Sequence, residues 1–291
     1  MAAMLGNLLG VLFDGVAYGS LLFLISVGLS VTMGLMNFIN LAHGAFAMVG
    51  GFVTVELMRQ LGVPFLATLP LAFIAAAIVG FVLERTLYRR LYRADPLDQV
   101  LFSIGLTFMV IAAGIYFWGP SQQPVHLPDW LRGQVSVFGV GLGIYRLFLI
   151  AVVVVVTAAL FLLIERTRLG AQIRASVDNQ EASAGLGINV SRVFSVTFAL
   201  GSGLGGLGGA LGIDVLGLDP TFPLKYMVYF LIVVAVGGAG TISGPLLAAI
   251  VLGVFDVAGK YYVPSLGAFV IYALMVVLLI LFPSGLISRR S

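Results

Sequence analysis

The feature that most limits what this chain can fold into is a series of long apolar runs separated by two polar stretches. The runs cover 8–35, 45–58, 64–83, 99–118, 145–164, 193–213, 226–258 and 266–282. Because about 20 apolar residues cross a bilayer as a helix, the runs predict membrane spans. With 60% hydrophobic and 9% charged residues, the 291-residue chain leaves no length for a sizeable soluble domain. We therefore expect an all-α integral membrane protein with about eight transmembrane segments, forming a single domain over residues 1–291.

Composition and spacing also argue against several function classes. The chain has no cysteine, which removes disulfides, thiolate metal sites and cysteine nucleophiles. A net charge of +3 is too small to indicate a nucleic-acid partner. The glycine-rich run 198–212 contains G-x-G-x-x-G matches, but its flanks are apolar helix and no strand precedes it, so no nucleotide site is expected. We expect no cofactor, no metal site and no catalytic residues. Glycines at positions 201, 205 and 209 instead predict close helix packing.

The distribution of basic residues predicts the orientation of the chain. Basic residues concentrate at 85–93, 166–192 and 289–290. Loops rich in Lys and Arg face the cytoplasm, so these three places are predicted to be cytoplasmic and the loop 119–143 to be external. The stretch 165–192 carries too many charges to lie in hydrocarbon. It is predicted to be a structured cytoplasmic element with a short helix around 176–186 that ends at Gly185 and Gly187.

Two apolar runs are interrupted. Residues 45–58 form a helix of roughly 21 Å, which is shorter than the roughly 30 Å hydrocarbon core. The run 226–258 is interrupted at 237–244. Irregular backbone at such depth is tolerated only where protein buries it or water reaches it, so both places predict discontinuous or re-entrant helices beside a pathway. A short likeness after His43-Gly44 and Ser243-Gly244 indicates an internal repeat; a chance match in so biased a composition is the alternative.

Polar and small residues at the two interruptions are the candidate pathway residues. Polar side chains inside a membrane are costly and are often functional, although these could equally hold the broken backbone together. Ser243 is also expected to cap the helix that follows it. The candidates are Asn37, Asn40, His43, Gly44, Thr241, Ser243 and Gly244.

Three further acidic residues, Asp14, Glu56 and Asp256, lie near segment ends. Asp256 comes four residues before Lys260, a spacing that brings two side chains together on a helix. Interfacial ion pairing is the expected role of these acids.

Four separated motifs carry a resemblance to a known family. They are GLMNFINLAHGAFAMVGGFV at 34–53, ERTLYRRLYR at 84–93, ERTRLGAQIRASVDNQEASAGLGIN at 165–189 and AVGGAGTISGPLLAAIVLG at 235–253. In these motifs, their order and its length, the chain resembles the permease subunit of bacterial branched-chain amino acid ABC importers. The resemblance implies a related second permease subunit, two cytoplasmic ATP-binding subunits, a periplasmic substrate-binding protein and a place in the inner membrane.

The resemblance also implies a role for the 165–192 stretch. In importers of this broad class the coupling loop carries the pattern E-A-A-x-x-x-G. Here Glu181, Ala182 and Gly187 keep it, Ser183 replaces the third position, and the later Leu-Pro portion is missing, so only the docking role carries over. ATP-driven closure of the partner subunits would push this loop and switch the interrupted region between the two sides; a merely solvated loop is the alternative. The implied coupling residues are Arg174, Asp178, Asn179, Glu181, Ala182 and Gly187.

Two other functions are alternatives to an importer subunit: a carrier or channel that acts alone, and an intramembrane enzyme. An ion-coupled secondary transporter or channel acting alone is favoured by acidic residues in mid-span, and none is placed convincingly. An intramembrane enzyme needs a nucleophile and a base within reach, yet the only histidines are His43 and His126. The substrate stays open among branched-chain amino acids, urea or short amides, and aromatic or other organic acids.

Overall fold

The computed structural model describes residues 2–36, 38–137, 139–283 and 285–287, and it confirms the all-helical membrane class. Short 3-10 turns lie at Tyr88–Arg90 and Asp129–Leu131. The helices are α1 (Ala2–Met36), α2 (His43–Leu61), α3 (Phe65–Thr86), α4 (Pro96–Trp118), α5 (Ile144–Arg166), α6 (Arg168–Asp178), α7 (Gln180–Gly185), α8 (Val190–Leu216), α9 (Phe222–Gly237), α10 (Ser243–Tyr262) and α11 (Gly267–Leu281).

Six of the described helices are long and apolar enough to cross a membrane: α1, α3, α4, α5, α8 and α10. Helices α9 and α11 are apolar but shorter. Helix α2 has 19 residues. The described part of the chain thus has nine membrane-associated helices against about eight expected, because the apolar run 226–258 is divided between α9 and α10.

The loop 119–143, predicted to be external, contains a β-hairpin. Strand β1 (Gln134–Val137) pairs antiparallel with β2 (Val140–Gly143), and Val135 lies opposite Leu142. Val140 packs beside Gly6 and Gly10 of α1. We call this side of the molecule the hairpin end.

Helix α1 runs from the hairpin end to the opposite side, where the side-chain amide of Gln180 in α7 donates to the carbonyl oxygen of Leu35 at 3.1 Å. We call that side the α6–α7 end. Helix α1 has 35 residues and is therefore about 52 Å long, which is more than the thickness of the hydrocarbon core. Helix α10 runs antiparallel along α1, since Gly253 contacts the backbone of Gly15 and Gly19.

Helix α8 lies at the centre of the bundle and is the most buried of the candidate spans. It packs against α1, α2 and α3 through small residues, and this confirms the predicted role of its glycines. A Cβ at Gly201 would meet the backbone of Gly28 in α1, and one at Gly209 would overlap the carbonyl oxygen of Ala47 in α2. Because glycine has no side chain, the helix backbones approach closely at these positions. Helices in a membrane associate through such close packing, since no hydrophobic force draws them together in lipid.

Candidate functional site

The first predicted interruption lies between α1 and α2, where Phe38–Ala42 are not helical. Asn40 organises this turn: its Oδ1 accepts hydrogen bonds from the backbone amide of Ala42 at 3.1 Å and from the hydroxyl of Tyr88 at 2.9 Å. The Nδ2 atom of Asn40 is buried and has no hydrogen-bond partner among the described residues. The candidate Asn37 lies outside the described residues.

His43 is the first residue of α2 and is 2% exposed. Its Nε2 donates to the carbonyl oxygen of Ile25 at 2.9 Å. Ile25 is about halfway along α1 between Asp14, at the hairpin end, and Leu35, at the α6–α7 end. Helix α2 therefore begins deep inside the bundle, where protein buries the broken backbone as the membrane requires. Gly44, the next candidate, is buried against Pro223 at the start of α9.

The second predicted interruption lies between α9 and α10 at residues 238–242, and Ser30 of α1 holds it. The Ser30 carbonyl accepts from the amide of Gly240 at 2.9 Å, and the Ser30 hydroxyl donates to the carbonyl of Thr241 at 3.0 Å. Gly238 and Gly240 have φ of 94° and 79°, a left-handed conformation that glycine adopts without strain.

The start of α10 differs in detail from the prediction. Ser243 is the first residue of the helix and does not cap it; Ile242 precedes it, and no side chain makes a capping hydrogen bond. The buried Gly244 lies so close to Gly237 that a Cβ would overlap the carbonyl oxygen of that residue. The candidates Thr241, Ser243 and Gly244 thus lie together in one tight turn, far along the chain from Asn40 and His43.

The 165–192 segment forms two helices where one was predicted around 176–186. Asn179 separates them: α6 ends at Asp178, and the Asn179 Oδ1 accepts from the amide of Ala182 at 2.8 Å to cap α7. A side-chain cap of this kind favours a new helix start over continuation. Gly187 follows with φ of 84°, which confirms the predicted glycine termination.

Most of the implied coupling residues form an exposed surface on α7 and its flanks. They are Asp178, Asn179, Glu181, Ala182 and Gly187. Within this surface the apolar side chain of Leu186 is 83% exposed. Leu186 was not among the predicted coupling residues, although a leucine between two glycines in a polar loop is a signal that could have found it.

Arg174 differs from the other coupling candidates because it lies against the membrane helices. Its Nη1 atom is buried without a hydrogen-bond partner among the described residues. The side chain lines a small cavity with Val31 of α1 and with Gly240 and Ile242 of the second interruption. The 165–192 segment therefore borders the same cavity as one of the two interruptions.

A buried acid joins α3 to α8 at the α6–α7 end. Glu84 accepts hydrogen bonds from the Tyr92 hydroxyl and the Ser195 hydroxyl, each at 2.6 Å. Burial raises the pKa of the Tyr92 phenol, and its hydrogen bond to Glu84 raises it further. This link fixes the first turns of α8, immediately after the 165–192 segment.

The expected ion pairs at segment ends are confirmed. Asp14 pairs with Arg146 at 2.6 Å and Asp256 with Lys260 at 2.5 Å. Glu56 lies 3.7 Å from Arg59, the third pair.

Comparison with known proteins places the chain among transport subunits. The family described as "Branched-chain amino acid transport system / permease component" matches residues 11–279. The high-affinity branched-chain amino acid transport system permease protein BraD of Pseudomonas aeruginosa is 28% identical, with 96% of this chain and 95% of that protein covered. The corresponding permease protein LivH of Salmonella typhimurium is 25% identical, with 96% and 94% covered. Permease protein LivM of the same organism is 26% identical, with 91% and 67% covered. No solved structure matches at a significant level.

The family match spans both interruptions and the complete 165–192 segment. The relatives are permease components, which form the membrane part of ABC importers and are not themselves enzymes. The chain therefore belongs to the family of branched-chain amino acid transport permeases and is the membrane-embedded permease subunit of an ABC importer.

Proposed function

We propose that the chain forms half of the passage by which branched-chain amino acids, or a related small carboxylate or amide, cross the bacterial inner membrane. Its partners in this proposal are a second permease of related sequence, two cytoplasmic ATP-binding subunits and a periplasmic binding protein. The substrates named for BraD and LivH support the substrate class. The likeness to both LivH and LivM supports a heterodimer of related permeases.

The observation that carries the proposal is the position of the 165–192 segment. Its outer surface presents Leu186 and the charged and small residues around it, while Arg174 on its inner side lines a cavity with the second interruption. A partner that binds the outer surface can therefore act on the backbone near Gly240 through α6 and α7. The basic residues of 85–93 and 166–192 support a cytoplasmic location for the α6–α7 end.

In the proposed mechanism, closure of the ATP-binding subunits pushes α7 and α6 toward the membrane. Because α7 is bonded to the end of α1 through Gln180, and Arg174 shares a cavity with the α9–α10 turn, the push is proposed to reach both. The two interruptions then act as the points where the helices bend. Asn37, Asn40, His43, Gly44, Thr241, Ser243 and Gly244 are proposed to line or hold the passage there.

A substitution at Leu186 tests the proposal. Leu186→Asp places a charge where an apolar contact with the ATP-binding subunit is proposed, so we expect loss of ATP-driven uptake and of substrate-stimulated ATP hydrolysis. Leu97→Asp is the matched control, because Leu97 is 68% exposed on the same side, in the first turn of α4, where an acid suits the helix N-terminus. The assay uses the complete transporter in proteoliposomes with radiolabelled leucine.

Two outcomes contradict the proposal. Full ATP-driven uptake by Leu186→Asp would show that the α7 surface does not transmit work. Uptake by the wild-type chain in proteoliposomes that lack the ATP-binding subunits would favour an ion-coupled carrier instead.

A further inference from the structure

Three cavities follow one another along the boundary between α1, α5 and α10. The first, at the hairpin end, has a volume of about 140 Å³ and is lined by Asp14, Tyr18, Arg146, Asp256 and Lys260. Both confirmed ion pairs, Asp14–Arg146 and Asp256–Lys260, thus border the same space.

The middle cavity begins one turn deeper on α1. Its volume is about 410 Å³, and its walls are mostly apolar, with Ser20 of α1, Val153 and Thr157 of α5, and Leu246 and Ile250 of α10 among them. The Thr157 hydroxyl donates to the carbonyl of Val153 at 2.6 Å, so its polarity is satisfied within the helix. This space suits an aliphatic side chain.

The third cavity, at the α6–α7 end, has a volume of about 30 Å³ and contains the side chain of Arg174 beside Ile164 and Gly240. It is large enough for about one water molecule. The space along the boundary between the three helices is therefore wider at the hairpin end than at the α6–α7 end.

Each end of this groove carries an unsatisfied charged atom. Asp256 is 1% exposed; its Oδ2 binds Lys260, and its Oδ1 has no hydrogen-bond partner among the described residues. At the other end the buried Nη1 of Arg174 is also without a partner in the described part of the chain. A buried charged atom that lacks a hydrogen bond is costly even when the rest of its group is paired, and this cost is recovered when a ligand of opposite charge binds.

We propose that this groove between α1, α5 and α10 is the substrate passage for a zwitterionic aliphatic amino acid. Asp256 Oδ1 accepts the ligand ammonium at the hairpin end, where Lys260, held 5.6 Å from the Tyr18 ring centre, faces the ligand carboxylate. The apolar middle cavity takes the aliphatic side chain. Arg174 receives the carboxylate when the narrow end opens. This proposal rests on the proposed function and adds the groove residues to those that it assigned at the interruptions.

The first interruption lies outside this groove. Asn40 and His43 line none of the three cavities and make their hydrogen bonds inside the subunit. The middle cavity instead opens at its side, between α5 and α10. Because a charged molecule facing hydrocarbon is costly, the proposal requires the second permease subunit to cover that side.

Single cysteines test the groove directly, because the chain contains no cysteine of its own. Ser20→Cys and Thr157→Cys place a thiol in the middle cavity, and Ala112→Cys places one on the exposed face of α4. In right-side-out vesicles carrying the complete transporter, a charged methanethiosulfonate reagent is expected to label the two groove cysteines and not the α4 control. Saturating leucine with the binding protein is expected to slow labelling of the groove cysteines.

The outcomes separate this proposal from the proposed function. If the cysteine variants transport leucine but the groove cysteines do not react, or react equally with and without leucine, the groove holds lipid and the passage lies elsewhere. If the wild-type complex with its ATP-binding subunits takes up no amino acid of this class, the proposed function itself fails.

Asp256→Asn gives a second measurement that does not depend on labelling. Asn keeps an oxygen acceptor but removes the negative charge, and the weaker interaction with the ligand ammonium predicts a KM for leucine raised about tenfold or more, with the complex still assembled. Asp129→Asn is the control, because Asp129 is an exposed aspartate at the same end and pairs with Arg132 on the surface. An unchanged KM in assembled Asp256→Asn complex would overturn the role of Asp256.

Discussion

Single glycines decide whether the helices of this bundle can meet. At Gly209 any side chain beyond hydrogen overlaps the carbonyl oxygen of Ala47, so α2 and α8 are in backbone contact there. The four-residue spacing of glycines in α8 was enough to predict a close contact. It could not identify α2 as the partner, because Ala47 lies far away in the chain.

Replacement of Gly209 tests this contact. Gly209→Ala forces α2 and α8 apart, and overpacking of this kind costs about 1–3 kcal/mol, so we expect a lower thermal midpoint of the purified complex. Gly105→Ala in α4 is the matched control, since nothing lies within 4 Å of a Cβ there. Alanine is also the better helix former, so the control should be neutral or stabilising. A neutral Gly209→Ala would mean that the helices are not in backbone contact.

Asp256 shows at the same scale what a local pattern can and cannot predict. Its four-residue spacing to Lys260 predicted the ion pair, which depends on one helix alone. Its near-complete burial and its unpaired Oδ1 depend on α1 and Tyr18 packing against α10, contacts that no local spacing records.

At the scale of elements, the interruptions were predictable and the hairpin was not. Gly238 and Gly240, followed by Pro245, are residues that interrupt a helix, so a break there could be predicted. The strands at 134–143 are four residues each and follow several prolines, so their alternation is too short to stand out from a loop. Asn179 was noticed as a coupling residue, but its capping of α7 depends on backbone geometry that the sequence does not fix.

The Glu84 link between α3 and α8 is an element-scale test of how the 165–192 segment is anchored. In Glu84→Ala the partly buried Tyr92 hydroxyl and the buried Ser195 hydroxyl lose their acceptor, which costs about 1–3 kcal/mol, so we expect a lower thermal midpoint and weaker coupling of ATP hydrolysis to uptake. Glu84→Gln keeps an acceptor, so its thermal midpoint should fall between those of the wild type and Glu84→Ala. Glu165→Ala, at an exposed position on α5, is the control. Equal midpoints for all three variants would show that the link carries no stability.

At the scale of the whole molecule, the apolar runs predicted the all-α membrane class, and the expected number of about eight segments is close to the nine membrane-associated helices of the described part of the chain. The apolar runs could not predict that α8 lies at the centre of the bundle and α5 at its edge, because the sequences of both helices are apolar along their length. The pathway candidates were chosen for their polarity within a span, yet Asn40 and His43 are buried inside one subunit. The groove between α1, α5 and α10 arises only when three distant helices meet.

The short stretch 285–287 returns from α11 to the second interruption. The amide of Leu286 donates to the carbonyl oxygen of Val236 at 2.7 Å, and Gly285 lies against Gly238. The described stretch 285–287 is thus bonded to the second interruption, which is one of the bends in the proposed mechanism. A purification tag fused at the carboxyl terminus would load these contacts, so the tag belongs at the amino terminus, and removal of Leu286 and the residues after it is expected to loosen the bend.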